Sequence, residues 1–147
     1  MPSSVHAQAR SHASPEAIFG LLADIETWSR WGAWESTTLE SPDPDGGGGV
    51  GAIRRLTSNN GGYDVVSRER VEVVEPARRI EYSLLSGLPL RNYRGKVELT
   101  PDGDGTRIEW SSTFEPAILG TGWFYAWVLR RFMADAAARL ARAAEAT

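Results

Sequence analysis

The sequence predicts an α+β fold: a curved antiparallel sheet of seven strands, two short helices between its first and second strands, and a long amphipathic helix at the C-terminal end. Three observations carry this prediction. Between residues 34 and 114, segments with period-two apolar alternation follow one another across short turns rich in Gly, Pro and Asp, the pattern of strands joined as a meander. Residues 14–31 interrupt the strands with helical spacing of Ile and Leu. Beyond Pro116 the composition turns to Ala, Leu and Arg, which favours a helix of several turns. A sheet with one apolar face and an amphipathic helix must bury those surfaces against each other.

Residues 3–13 place Val5, Ala7 and Ala9 on one side and His6, Gln8 and Arg10 on the other, a strand. Ser14, Pro15 and Glu16 then mark a helix start, with Ser14 as N-cap and Pro15 at the first helical position. Ile18, Leu21, Leu22 and Ile25 form its buried face. A second short helix runs through "IETWSRW" and breaks near Gly32. The second strand is expected over Trp34 to Leu39, before the loop "SPDPDGGGG". "VGAIRRLT" is the third strand, and "SNNGG" turns it into a fourth from Tyr63 to Glu75. On that strand Tyr63, Val65, Ser67, Glu69, Val71 and Val73 share a face. "IEYSLL" puts Ile80, Tyr82 and Leu84 together, and residues 91–99 do the same for Tyr93, Gly95, Val97 and Leu99. After the hairpin signal "PDGDG", the seventh strand sends Thr106, Ile108, Trp110, Ser112 and Phe114 one way and the residues between them the other. The final helix is expected to bury the stripe Tyr125, Val128, Leu129, Phe132, Ala136 and Leu140. No internal repeat or linker divides the chain, so residues 1–147 form a single domain.

Composition excludes several function classes. Hydrophobic residues at 41% and charged residues at 24% describe a globular chain, and no apolar run approaches the roughly 18 residues of a membrane span. The start has no apolar signal segment, so the expected location is cytoplasmic and stable membrane insertion is not expected. Without cysteine there is neither a disulfide nor a thiolate ligand. A net charge of −3, with arginine pairs scattered at 54–55, 78–79 and 130–131, argues against nucleic acid as a partner. "GGGGVG" matches G-x-G-x-x-G at Gly46, Gly48 and Gly51, but it enters a strand rather than a helix and so lacks the context of dinucleotide binding. His6 and His12 are the only histidines, too few for a metal site or for a nucleophile triad. No metal and no cofactor are expected.

The segments "SPEAIFGLLADIETWSRWGAWES", "RERVEVVEPARRIEY" and "GDGTRIEWSSTFEP", ahead of a long terminal helix, resemble the polyketide cyclase/dehydrase and lipid-transport family of the START/Bet v 1-like (SRPBCC) superfamily, over about residues 4 to 142. The resemblance implies a helix-grip fold, a seven-stranded sheet wrapped around the C-terminal helix with a cavity for hydrophobic ligands. Members of that superfamily range from cyclases and aromatases to lipid carriers and hormone receptors, so fold alone does not select an activity.

The candidate ligand-binding residues follow from the inward faces. Trp28, Trp31 and Trp34 crowd the helix-to-strand corner, as a core plug, a cavity wall or a partner surface. Tyr63, Tyr82, Tyr93, Trp110, Ser112 and Phe114 from the strands, with Val128 and Phe132 from the last helix, would make an aromatic pocket with a few hydroxyls. Glu69 is a carboxylate on an apolar face, where burial raises its pKa and calls for a partner among Arg55, Tyr82 and Tyr93. It is the candidate for acid/base catalysis. Three readings stay open: a binder or carrier of a small hydrophobic molecule, lipid-like, aromatic or polyketide-like; a cyclase or dehydratase-like enzyme using Glu69 and tyrosine hydroxyls; and a protein-partner module using exposed indoles, among them Trp123 and Trp127. Either a monomer or a homodimer fits.

Overall fold

The structure, a computed structural model, describes residues 3–59, 62 and 64–146. Strand β1 (Ser3–Ser11) leads to helix α1 (Pro15–Ala23), a 3₁₀ turn at Ile25–Thr27 and the one-turn helix α2 (Trp28–Trp31). Strands β2 (Ser36–Ser41), β3 (Ile53–Asn59), β4 (Asp64–Glu75), β5 (Arg79–Ser86), β6 (Leu90–Asp102) and β7 (Gly105–Pro116) follow, then helix α3 (Gly122–Glu145). The strands form one antiparallel sheet in the order β1-β7-β6-β5-β4-β3-β2. β2 to β7 are the expected meander. β1 lies at the far edge beside β7, with Ser3 opposite Phe114 and Ser11 opposite Thr106, so α1 and α2 carry the chain from one edge of the sheet to the other.

The helix start is as the sequence implies: the Ala17 amide donates to Ser14 Oγ at 3.2 Å. β2 begins two residues later than expected. The Trp34 indole folds back over Gly32, where a Cβ would lie 2.2 Å from the ring, so this stretch turns the corner instead of extending. In β4 the register shifts between Val71 and Val73. A residue is inserted there, so Val74 falls opposite Ile80 and packs on the core while Val73 falls opposite Glu81. Strict alternation had placed Val73 inside; a bulge moves every later residue to the other face.

The buried stripe of α3 is Leu129, Met133, Ala136, Ala137, Leu140, Ala141 and Ala144. Val128 and Phe132, expected within it, are 38% and 37% exposed. The helix is rotated toward its small residues because alanines admit close approach to β1, where Ser11 Oγ donates to the Ala141 carbonyl at 2.8 Å. The loop after β2 is organised by Asp43, whose carboxylate accepts from the amides of Asp45 and Gly47 at 2.8 Å and of Gly49 at 2.6 Å. These bonds, that from Gly47 foremost, hold the Asp43 carboxyl below its ordinary range. The amides a phosphate would need are therefore already engaged by this chain's own carboxylate.

Candidate ligand cavity

Between the inner face of the sheet and the first half of α3 lies a cavity of about 400 Å³. Its wall on the helical side starts at the tryptophan corner. Trp28, 1% exposed, is anchored by its indole N–H to the Leu22 carbonyl at 3.1 Å. Its ring centroid lies 5.2 Å from that of Trp34, 5.4 Å from that of Trp31 and 5.7 Å from that of Trp110, and Trp34 meets Phe132 of α3 edge-on at 5.4 Å. Trp28, Trp34, Trp110 and Phe132 line the cavity; Trp31 does not. Trp31 is buried behind the other two, edge-on to Trp34 at 5.7 Å, so the tryptophan spacing serves both core and cavity wall. These ring pairs are tilted or edge-on, and edge-on pairs add to the gain from burial alone.

The sheet side carries a polar strip. The β3–β4 register sets Arg54 opposite Glu69, and Arg54 Nη2 donates to Glu69 Oε1 at 2.7 Å. Arg54 is 3% exposed and Glu69 13%. The guanidinium also lies over two rings, 4.6 Å from the centroid of Trp28 and 5.1 Å from that of Tyr82, contacts that suit a delocalised cation removed from water. Burial pushes the Glu69 carboxyl above its ordinary range, against the attraction of Arg54. The partner is thus Arg54 and not Arg55, which is exposed and opposite Arg68. Alternation in the sequence carried this signal, since Ala52, Arg54 and Leu56 all face inward.

Next along the strip, Tyr82 Oη accepts from Trp110 Nε1 at 2.9 Å, and the Tyr93 ring lies 6.3 Å from that of Tyr82, centroid to centroid. Burial raises both phenols well above their ordinary pKa, helped by the nearby Glu69, so both are protonated at neutral pH. Tyr82 lies flat across Gly95, its cross-strand neighbour, where a Cβ would come within 2.2 Å of the ring. Only glycine leaves that space.

Of the residues singled out in the sequence, Trp28, Trp34, Glu69, Tyr82, Tyr93, Trp110, Val128 and Phe132 line this one space. Ser112 and Phe114 stand behind it: Ser112 Oγ points to Met133 Sδ at 3.9 Å, and Phe114 stacks under Tyr93 at 6.4 Å. Tyr63 lies outside the described residues. Strand faces account for the lining residues Val65, Ser67 and Leu84, whereas Ala33, Ser58, Asn59 and Leu88 come from turns and strand ends. Nothing in local sequence says which turn folds over an opening. Among the described residues no group of three or more His, Asp or Glu side chains could hold a metal ion, and both histidines are exposed.

Solved structures share the whole architecture. A START superfamily protein from Mycobacterium smegmatis superposes with a TM-score of 0.82 at 19% identity, covering 97% of each chain. The Zhui aromatase/cyclase from a Streptomyces species gives 0.82 at 16% identity, covering 99% of this chain and 94% of that one. Ara h 8.0201 gives 0.78 at 15% identity over the full length of both. At these identities the likeness is one of fold, the helix-grip arrangement of a sheet around a terminal helix. No curated protein matches the chain. Its sequence matches the polyketide cyclase/dehydrase and lipid transport family over residues 2–145, and the chain belongs to that family.

Proposed function

We propose that this protein binds a small hydrophobic molecule, lipid-like, aromatic or polyketide-like, in the cavity between the sheet and α3. The observation that carries the reading is the cavity itself: about 400 Å³, within the range of small-molecule sites, with aromatic walls and few polar groups. Those polar groups are gathered on one side. Glu69 lines the space with one oxygen engaged by Arg54, and its second oxygen accepts a hydrogen bond from a ligand hydroxyl. The tyrosine hydroxyls stand beside it. Because Arg54 compensates the charge, the site favours a neutral ligand with one polar end over a second carboxylate.

A cyclase-like reaction is the second reading, favoured by one feature: a carboxyl with a raised pKa beside two protonated phenols on the cavity wall. There Glu69 would take a proton from an activated carbon of the substrate, and a tyrosine would hold the enolate oxygen.

Native mass spectrometry of the purified protein, followed by extraction, tests the binding reading. A retained organic molecule is expected, and a matching compound at a hundred times its Kd should add about 2.7 kcal/mol of stability. If nothing is retained and a panel of lipids, phenols and aromatic acids leaves Tm unmoved, the cavity is not a binding site. Turnover of a retained polyketide-like ligand that Glu69→Gln abolishes, with binding kept, would select the enzyme.

A further inference from the structure

The first half of α3 carries two side-chain rows spaced by four residues. Phe124, Val128 and Phe132 form one, and its last two members line the cavity. Trp123, Trp127 and Arg131 form the other, farther from the sheet, with the Arg131 guanidinium 5.1 Å from the centre of the Trp127 ring. The surface is unusually apolar: Trp123 is 74% exposed, Trp127 53% and Leu119, in the preceding turn, 99%. The Ala117 amide donates to the Pro89 carbonyl at 2.9 Å, which ties this turn to the β5–β6 turn bearing the cavity residue Leu88. The patch therefore adjoins the cavity at its rim.

Charge says what the patch fits. The chain carries a net −3, yet no acidic residue occurs between Glu115 and Asp135, while Arg130 and Arg131 do. Both arginines are exposed one turn beyond the indoles. Bulky apolar residues at a tip, indoles beside them and cations behind are the arrangement of a surface that settles into the interfacial region of an anionic bilayer. A second copy of this chain would instead bring like-charged arginines together across a two-fold axis. No helix among the described residues is long and apolar enough to cross a membrane, so contact is with the surface.

We propose that the 118–131 face is a docking surface for anionic lipid bilayers, placing the cavity rim against the membrane so that a hydrophobic ligand can pass without crossing water. The docking claim stands on this surface whatever the cavity holds; the retained-ligand experiment tests the cavity separately.

Co-sedimentation with vesicles of phosphatidylcholine, alone or mixed with phosphatidylglycerol, reads it directly. The protein is expected to bind the mixed vesicles, weakly or not at all the neutral ones, with affinity falling as salt rises. The paired change Trp123→Ser and Trp127→Ser should abolish binding without loss of fold, since both side chains are more than half exposed. Arg130→Gln with Arg131→Gln should weaken it about 30-fold, from roughly the gain per surface cation. Absence of binding to the mixed vesicles overturns the proposal, as does binding that survives the tryptophan changes. So does a sedimentation-equilibrium dimer that those changes dissolve, which would assign the face to a second copy.

Discussion

The two ends of α3 are built on opposite principles. From Met133 onward the helix presents alanines and Leu140 to the sheet, Ala137 and Leu140 being fully buried, and in its last turn Glu145 accepts from the amide of His12, the residue that follows β1, at 2.6 Å. Before Met133 the helix is aromatic, half exposed and set over a cavity. Small residues allow a backbone to approach until voids disappear. Bulky rings hold the first half of α3 away from the sheet, and Trp34 with Phe132 props that space open. One helix thus closes the core at one end and roofs a cavity at the other. Core packing and cavity lining are accordingly separable along its length.

The largest effect is expected beneath the cavity. Glu69→Ala leaves the Arg54 cation buried without a partner, and should cost about 3–5 kcal/mol in urea unfolding. A loss below about 1 kcal/mol would mean that water reaches the pair. At the packed end Leu140→Ala should cost about 2–5 kcal/mol. Phe132→Ala at the hollow end should cost much less, because the ring is 37% exposed, while weakening ligand-induced stabilisation. Equal losses at both positions would erase the distinction between the two ends. Gly95→Ala should destabilise by about 1–3 kcal/mol and displace Tyr82 into the cavity, seen as lost ligand binding or as a moved ring in a crystal structure.

The smallest expected effect is a pH dependence. Burial raises the Glu69 carboxyl, so as pH climbs the unfolded chain releases this proton while the native state still holds it. Its contribution to stability is full below the ordinary carboxylate range and is lost as pH rises through the raised native value. Asp43, held low by backbone amides, has the opposite sign: its contribution is lost as pH falls. The stability of wild type minus that of Glu69→Gln, from urea melts across the acidic range, isolates the first term and should decrease with rising pH. A difference that grows would show that Arg54 outweighs burial.

Much of this fold was legible because strand alternation and helix capping are local. The Ser14 cap, the meander from β2 to β7 and the inward faces of β5, β6 and β7 each follow from neighbouring residues. Most of the cavity wall was legible for the same reason: Tyr82, Tyr93 and Trp110 sit on clean period-two faces. Errors arose where a distant contact overrode a local pattern. The bulge at Glu72 turned Val73 outward and Val74 inward, Trp34 left the strand to cover Gly32, and the helix rotated toward its alanines, exposing Val128 and Phe132.

Taken alone, the sequence determined the element order, the fold class and the presence of a carboxylate on an apolar face, since period and composition are properties of adjacent residues. Only the tertiary structure decided that Arg54 answers Glu69, that Trp28 and Trp34 reach the cavity while Trp31 stays behind them, and that the indoles of Trp123 and Trp127 remain uncovered. Those outcomes depend on strand register and helix rotation, which are set by packing among residues far apart in the chain.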